Sequence, residues 1–144
     1  MLRHLLIFVA VLPVACSSGE YQVASVSGQV TVNGKAVEKV AVMFQPVAVE
    51  GNINPGPGSY GITNSDGRYY LKLIGKETKG AVVGKHKVRI ENYTEPDDPS
   101  DDRPRKRPKP AVQIPAKYNA IEARLECDVP AGGRKDADFA LTSP

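Results

Sequence analysis

Short runs of alternating apolar and polar residues, separated by glycine, asparagine and proline turns, recur along most of this chain. The clearest run is 68–73, directly after Asp66-Gly67. In it the apolar positions Tyr69, Leu71 and Leu73 alternate with Arg68, Tyr70 and Lys72. Glycine reaches positive φ without steric cost, and aspartate can hydrogen-bond back to its own backbone. The pattern therefore predicts a tight turn that leads into a strand with one buried face.

Six other segments have strand patterns, and no segment has a persuasive helical period. They are 26–32, 40–44, 59–63, 85–91, 121–129 and 136–141. The unbroken apolar run 40–44 is typical of a central strand, and Asn33-Gly34 is a strong hairpin-turn signal. We expect 59–63 to pair with 68–74 through the Asp66-Gly67 turn. About seven short strands predict an all-β fold, a seven-stranded Greek-key β-sandwich of transthyretin-like or immunoglobulin-like type.

The first 15 residues have the pattern of an export signal. Two basic-type residues precede the apolar core 5–12, which is about half of the ~20 residues that span a bilayer. We therefore predict a cleaved signal peptide over 1–15 rather than a permanent anchor helix. Cys16, between Ala15 and Ser17, resembles the acylated cysteine of bacterial lipoproteins, with Pro13 standing where that family has leucine. Lipidation of Cys16 is the preferred prediction, and ordinary cleavage near Ala15 to a soluble secreted protein is the alternative.

The rest of the chain divides into a tether over 16–24 and one domain over 25–142, interrupted by a long connection at 94–112. Most connections in compact domains have ~4–6 residues, whereas this one holds five acidic residues, then five basic ones, with prolines throughout. We predict a disordered, exposed loop. Its basic half is a candidate contact for anionic lipid headgroups or envelope polymers, and the preferred alternative is a solvated loop that its own acidic half neutralises. The basic residues are Arg103, Arg105, Lys106, Arg107 and Lys109.

Composition and the few reactive side chains argue against catalysis, cofactors and metals. The net charge of +3 is too weak to indicate a nucleic-acid partner. His86 shares one face with Val88 and Ile90, so we expect it to fill the core rather than to serve as a base. Cys127 lies on the apolar face of its segment and is predicted to be a buried, inert thiol, although a disulfide to Cys16 is an alternative on paper. We therefore predict no catalytic, cofactor or metal site.

Several blocks of the chain resemble carboxypeptidase-regulatory-like domains, which are transthyretin-like seven-stranded sandwiches. The blocks are 28–37, 40–44, 84–88 and Thr63-Asn64-Ser65-Asp66-Gly67-Arg68-Tyr69. The stretches 114–118 and 138–141 are similar to the ends of small bacterial lipoproteins built on that domain. The resemblance covers roughly 25–142, and its turn and strand motifs imply a fold while carrying little information about function.

Together these patterns predict a non-enzymatic cell-envelope lipoprotein, exported and anchored in a membrane at the periplasm or cell surface. Its β-sandwich is expected to be a monomeric structural or interaction module for an envelope protein or polysaccharide. The alternative is a carbohydrate-binding module of the cell surface, in which tyrosines stack on sugar rings. The candidate tyrosines are Tyr21, Tyr60, Tyr69, Tyr70, Tyr93 and Tyr118.

Overall fold

The structure is a computed structural model that describes residues 21–96, 99, 100, 103, 106–120 and 125–143. Within these residues the fold is all-β, with eleven short strands and one 3₁₀ helix, η1 (Ala116–Tyr118). The strands are β1 (Val23–Ala24), β2 (Ser27–Val32), β3 (Lys35–Ala36), β4 (Val40–Pro46), β5 (Ser59–Ile62), β6 (Arg68–Tyr70), β7 (Lys72–Leu73), β8 (Ala81–Val82), β9 (Gly84–Asn92), β10 (Leu125–Val129) and β11 (Phe139–Leu141).

The larger sheet has five strands in the order β10-β9-β4-β5-β7, and all of its strand pairs are antiparallel. β4 lies in the middle, between β9 and β5, which confirms the central strand predicted from its unbroken apolar run. Burial explains that run, because Ala41 is buried on the opposite face from Val40, Val42 and Phe44. A strand covered on both faces loses the alternation that a half-exposed strand shows.

The second sheet is built around β2. β11 runs parallel to it, with Phe139 opposite Val30, while β3 and β6 pair with it antiparallel. The predicted alternation is present, because Gly28, Val30 and Val32 are buried and the residues between them are half-buried. Gly28 allows the backbone at Ala137 to approach β2 closely, since a Cβ at position 28 would lie 2.0 Å from the Ala137 carbonyl oxygen.

Both predicted turns are confirmed. Asn33 and Gly34 have φ of 51° and 80°, the paired left-handed conformation that favours this dipeptide between β2 and β3. Gly67 has φ of 71°. The turn before β6 depends on Asn64 rather than on the Asp66 side chain, because Asn64 Oδ1 accepts hydrogen bonds from the backbone N–H groups of Asp66 and Arg68, both at 3.0 Å.

The segment after Gly67 is shared between the two sheets, which the sequence did not predict. Arg68–Tyr70 (β6) pairs with β2, and only Lys72–Leu73 (β7) pairs with β5. Leu71 lies at the change of sheet and donates its backbone N–H to the Val26 carbonyl at 3.0 Å. The predicted pairing of 59–63 with 68–74 is therefore correct only at Lys72 and Leu73, which pair with Tyr60 and Ser59.

Two further strands lie in segments that were predicted to be irregular. Val23–Ala24, placed in the tether, form β1, and Ala81–Val82, which lie between the predicted strands 68–73 and 85–91, form β8. These two strands pair with each other. Ala24, Ala81 and Val82 are all buried, so this small ribbon belongs to the packed part of the protein.

One core connects the sheets, as expected of a β-sandwich. Its buried side chains come from most of the strands, and Ile114 joins them from outside the strands. The largest fully buried ones are Tyr69, Phe44, Leu71, Leu73, Ile90 and Leu141. Burial of such side chains stabilises the fold by about 1.5–3 kcal/mol each.

β4 and β9 define two ends of the domain. At one end Pro46 pairs with His86, and at the other Val40 pairs with Asn92. We call the first the Tyr21 end, because the loop that follows Pro46 brings Gly56 against the Tyr21 ring. We call the second the Asn92 end.

Candidate functional site

The predicted lipidation site lies just ahead of the described chain. Cys16 is outside the described residues, which begin at Tyr21. Tyr21 is fixed to the domain, because Lys76 Nζ donates to its hydroxyl at 2.5 Å and lies 5.2 Å from the centre of its ring. Gly56 also lies against Tyr21, because a Cβ on Gly56 would lie 2.8 Å from the ring. The segment that bears Cys16 therefore joins the domain at the Tyr21 end.

The same end carries an exposed apolar loop between β4 and β5. Ile53 is 96% exposed and Val49 is 59% exposed. A local turn holds this tip, in which the Asn52 N–H donates to the Val49 carbonyl at 2.9 Å and Gly51 has φ of 83°. We call segment 47–58 the apolar loop. The segment lies between two predicted strands and was given no functional role from the sequence, although valine and isoleucine among its glycines and prolines were a usable signal.

A neighbouring turn adds to this apolar surface. Ile74 is 52% exposed and follows β7. Its backbone N–H donates to the Gly58 carbonyl at 2.9 Å, and its Cδ1 would lie 3.2 Å from a Cβ on Gly58. The Tyr21 end therefore presents large apolar side chains from two adjacent loops.

The charged loop joins the domain at the opposite, Asn92 end. The Asn92 side chain donates to the Val112 carbonyl at 2.8 Å and accepts from the Ile114 N–H at 2.9 Å. Ile114 is buried in the core, and the Tyr93 N–H donates to the Lys39 carbonyl. These contacts hold together the two stems of the loop predicted at 94–112.

Four of the five candidate anion-contacting residues can be placed. Arg103, Lys106, Arg107 and Lys109 are exposed. Arg105 lies outside the described residues, as do the acidic positions 97, 98, 101 and 102. The candidate basic residues therefore belong to a loop whose stems are at the end opposite Tyr21.

His86 and Cys127 are brought together inside the protein. They are direct partners in the β9–β10 pair, with side chains only 1% and 8% exposed, respectively. His86 packs against Phe44 at a ring-centroid distance of 5.5 Å, and its Nδ1 lies 3.0 Å from the Gly84 carbonyl oxygen. Its Nε2 has no hydrogen-bond partner among the described residues. Both side chains are thus confirmed as buried.

Burial also shifts the ionisation of this pair away from reactivity. Desolvation lowers the pKa of His86 and raises the pKa of the Cys127 thiol, so that both groups are kept neutral. A nucleophilic cysteine needs the opposite environment, partly exposed and electropositive. The arrangement suits side chains that fill the core.

The tyrosines that were weighed for sugar stacking are distributed over different parts of the domain. Tyr69 is fully buried and donates its hydroxyl to the Ala137 carbonyl at 2.5 Å, and burial raises its pKa. Tyr118 bonds to Thr142 near the end of the chain. Tyr60 carries Lys72 over its ring at 5.4 Å. Tyr70 is 70% exposed but lies on β6, in the other sheet.

Comparison with protein-family models, with curated proteins and with solved structures finds no match for this chain. No helix in the described part of the chain is both long and apolar enough to cross a membrane. Across the same residues, no three histidine, cysteine or acidic side chains form a group able to hold a metal ion.

Proposed function

We propose that this protein is a non-enzymatic lipoprotein of the bacterial cell envelope, held to a membrane by a diacylglyceryl group on Cys16. The observation that carries the proposal is the order of its N-terminal features. An apolar core at 5–12 is followed by Cys16, and five residues later Tyr21 is packed on the domain. A lipid at Cys16 would therefore tie the domain closely to a bilayer.

The non-enzymatic part of the proposal is supported by the position of the two most reactive side chains. The imidazole of His86 and the thiol of Cys127 are buried in the core. A general base or nucleophile must come within hydrogen-bond reach of a substrate. Buried side chains that fill the space between two sheets do not meet that requirement.

We infer further that the domain is a transthyretin-like Greek-key sandwich of seven principal strands. Support comes from the seven predicted segments, each of which contains at least part of a strand: β2, β4, β5, β6 with β7, β9, β10 and β11. The remaining strands, β1, β3 and β8, have two residues each. The domain then serves as a structural or interaction module in the envelope, acting as a monomer on a protein or polysaccharide partner.

Cell fractionation with paired cysteine substitutions tests the anchor. The full-length chain is expressed in a bacterium that processes lipoproteins, and the membrane and soluble fractions are assayed for the parent, Cys16→Ser and Cys127→Ser. We expect the parent and Cys127→Ser in the membrane fraction, from which only detergent extracts them. We expect no mature Cys16→Ser protein in that fraction. Identical membrane association of Cys16→Ser would contradict the proposal.

A further inference from the structure

The position of the proposed anchor indicates what the apolar loop and the neighbouring Ile74 contact at the Tyr21 end. We propose that the Tyr21 end faces the membrane and that Val49, Ile53 and Ile74 contact an anionic lipid headgroup layer. This inference rests on the proposed lipid at Cys16. It adds which surface of the domain meets the bilayer and which side chains make the contact.

The length of the N-terminal segment limits how far this end can be from the bilayer. Tyr21 is five residues beyond Cys16, and a fully extended chain spans at most ~3.6 Å per residue, so about 18 Å separates Tyr21 from the lipidated sulfur at most. Tyr21 itself is held against Gly56 of the apolar loop and against Lys76. The loop is therefore close to the bilayer surface whenever the lipid is inserted.

The exposed side chains suit such a surface. Ile53 is 96% exposed, and Val49 and Ile74 are each more than half exposed. Single exposed apolar residues are ordinary on proteins, whereas several of them grouped on adjacent loops indicate an interaction site. Insertion of these side chains among headgroups and upper acyl chains would remove their apolar surface from water.

The charge of this end favours an anionic bilayer. Segments 47–58 and 72–85 contain four lysines and two glutamates, which leaves a charge of 4 − 2 = +2. Lysines near a membrane are attracted to anionic lipids over about one Debye length, ~10 Å at 0.1 M salt. The lysines are Lys72, Lys76, Lys79 and Lys85, and the glutamates are Glu50 and Glu77.

The same geometry gives the charged loop a different position. Its stems are held by Asn92 at the opposite end of β4 and β9. The Tyr21 end thus becomes the membrane side of the domain, and the charged loop begins on the side that faces away from the membrane.

Fluorescence quenching by labelled lipids tests this orientation in the full-length, processed chain. A single thiol is placed at the loop tip by Ile53→Cys in a Cys127→Ala background, and the matched control carries Glu38→Cys instead. Glu38 is exposed and precedes Lys39, whose carbonyl accepts from the Tyr93 N–H at the Asn92 end. Each protein is labelled with an environment-sensitive dye and reconstituted into phosphatidylglycerol-containing vesicles that include a headgroup-nitroxide lipid. The intact mass of each preparation reports whether Cys16 carries lipid.

The expected result is lipidated protein in which the dye at position 53 is quenched several-fold more than the dye at position 38. Quenching at position 53 should weaken when Lys79→Gln is added or when the vesicles are zwitterionic. Equal quenching at the two positions in lipidated protein would overturn the orientation and leave the lipoprotein proposal intact. A dye at position 53 that reports exclusion from water in the absence of vesicles would also overturn the orientation, because a second copy or another protein would then cover the loop. A mass without lipid would refute the lipoprotein proposal and this inference together.

Discussion

Gly67 is the position at which the turn and the packing between strands can be tested separately. Its φ of 71° lies in the left-handed region, which costs a residue with a Cβ roughly 1–2 kcal/mol. A Cβ there would also lie 2.7 Å from the Val30 carbonyl oxygen and 3.0 Å from the Ala36 Cβ. The Val30 carbonyl cannot move freely, because the Val37 N–H donates to it and the Val30 N–H donates to the Gly67 carbonyl.

Gly34→Ala is the matched control. Gly34 has a similar φ of 80°, but a Cβ there would have nothing within 4 Å. Both substitutions remove similar chain entropy from the unfolded state, so their difference isolates the steric conflict. Forcing extra atoms into a packed site costs about 1–3 kcal/mol. We therefore expect Gly67→Ala to lower the free energy of unfolding by about 1–3 kcal/mol more than Gly34→Ala does.

Urea unfolding, followed by circular dichroism, measures this difference. With a typical m-value of about 2 kcal/mol/M, an extra 2 kcal/mol moves the midpoint by about 1 M. The two variants should differ by roughly that amount, with unchanged m-values. Coincident midpoints would refute the reasoning, because they would show that Gly67 does not pass close to β2 in solution.

Four further predictions concern the interior and the charged loop. Because burial lowers the pKa of His86, the unfolded chain binds a proton there more readily than the folded protein does. The free energy of unfolding should therefore be highest above the unfolded pKa of ~6.5 and fall as the pH drops below it. Urea midpoints should depend less on pH in His86→Leu than in the parent, and identical pH dependence of the two would contradict this. Cys127 should react with a thiol reagent only after unfolding, as peptide mass mapping would report, since its thiol is buried and its pKa raised; rapid labelling of the native protein would place it at the surface. Trypsin should cut after the exposed Lys106 while the domain stays folded, and a Gly/Ser linker in place of 96–110 should change the melting temperature little. By contrast, Asn92→Ala should lower the free energy of unfolding by about 1–3 kcal/mol, because the Val112 carbonyl and the Ile114 N–H lose the hydrogen bonds of the Asn92 side chain. An unchanged stability of Asn92→Ala together with a destabilised linker variant would show that the loop itself, rather than its stems, stabilises the domain.

The strands that could be predicted are those whose burial alternates or is continuous. β2, β9 and β10 each have one inward face, and β4 is apolar on both, so period and composition were sufficient. The Asn33-Gly34 and Asp66-Gly67 turns were also predictable, because positive φ selects few residue types.

The missed features depend on contacts between distant segments. β1 and β8 have two residues each, too few for a period, and they exist because they pair with one another. The change of sheet at Leu71 has no local sign, since an alternating strand has the same pattern whichever sheet receives it. Asn64 was overlooked because its side chain bonds forward across the turn, to Asp66 and Arg68.

Sequence reasoning about the site had similar limits. Cys16 and the basic residues stand out by composition, and the burial of His86 and Cys127 follows from their place in an alternating strand. The position of the apolar loop beside Tyr21 could not be predicted, because it depends on Lys76 and Gly56, which are 55 and 35 residues away along the chain. Three-dimensional packing was needed to show that the N-terminal segment and Ile53 share one end of the domain.

The mass of the mature N-terminal peptide is the most direct test of the central claim. The full-length protein is expressed in a bacterium with lipoprotein processing, extracted in detergent and digested. We predict an N-terminal peptide that begins at Cys16 and carries the mass of a diacylglyceryl group. An unmodified peptide, whether it begins at Cys16 or at another residue near Ala15, would contradict the account.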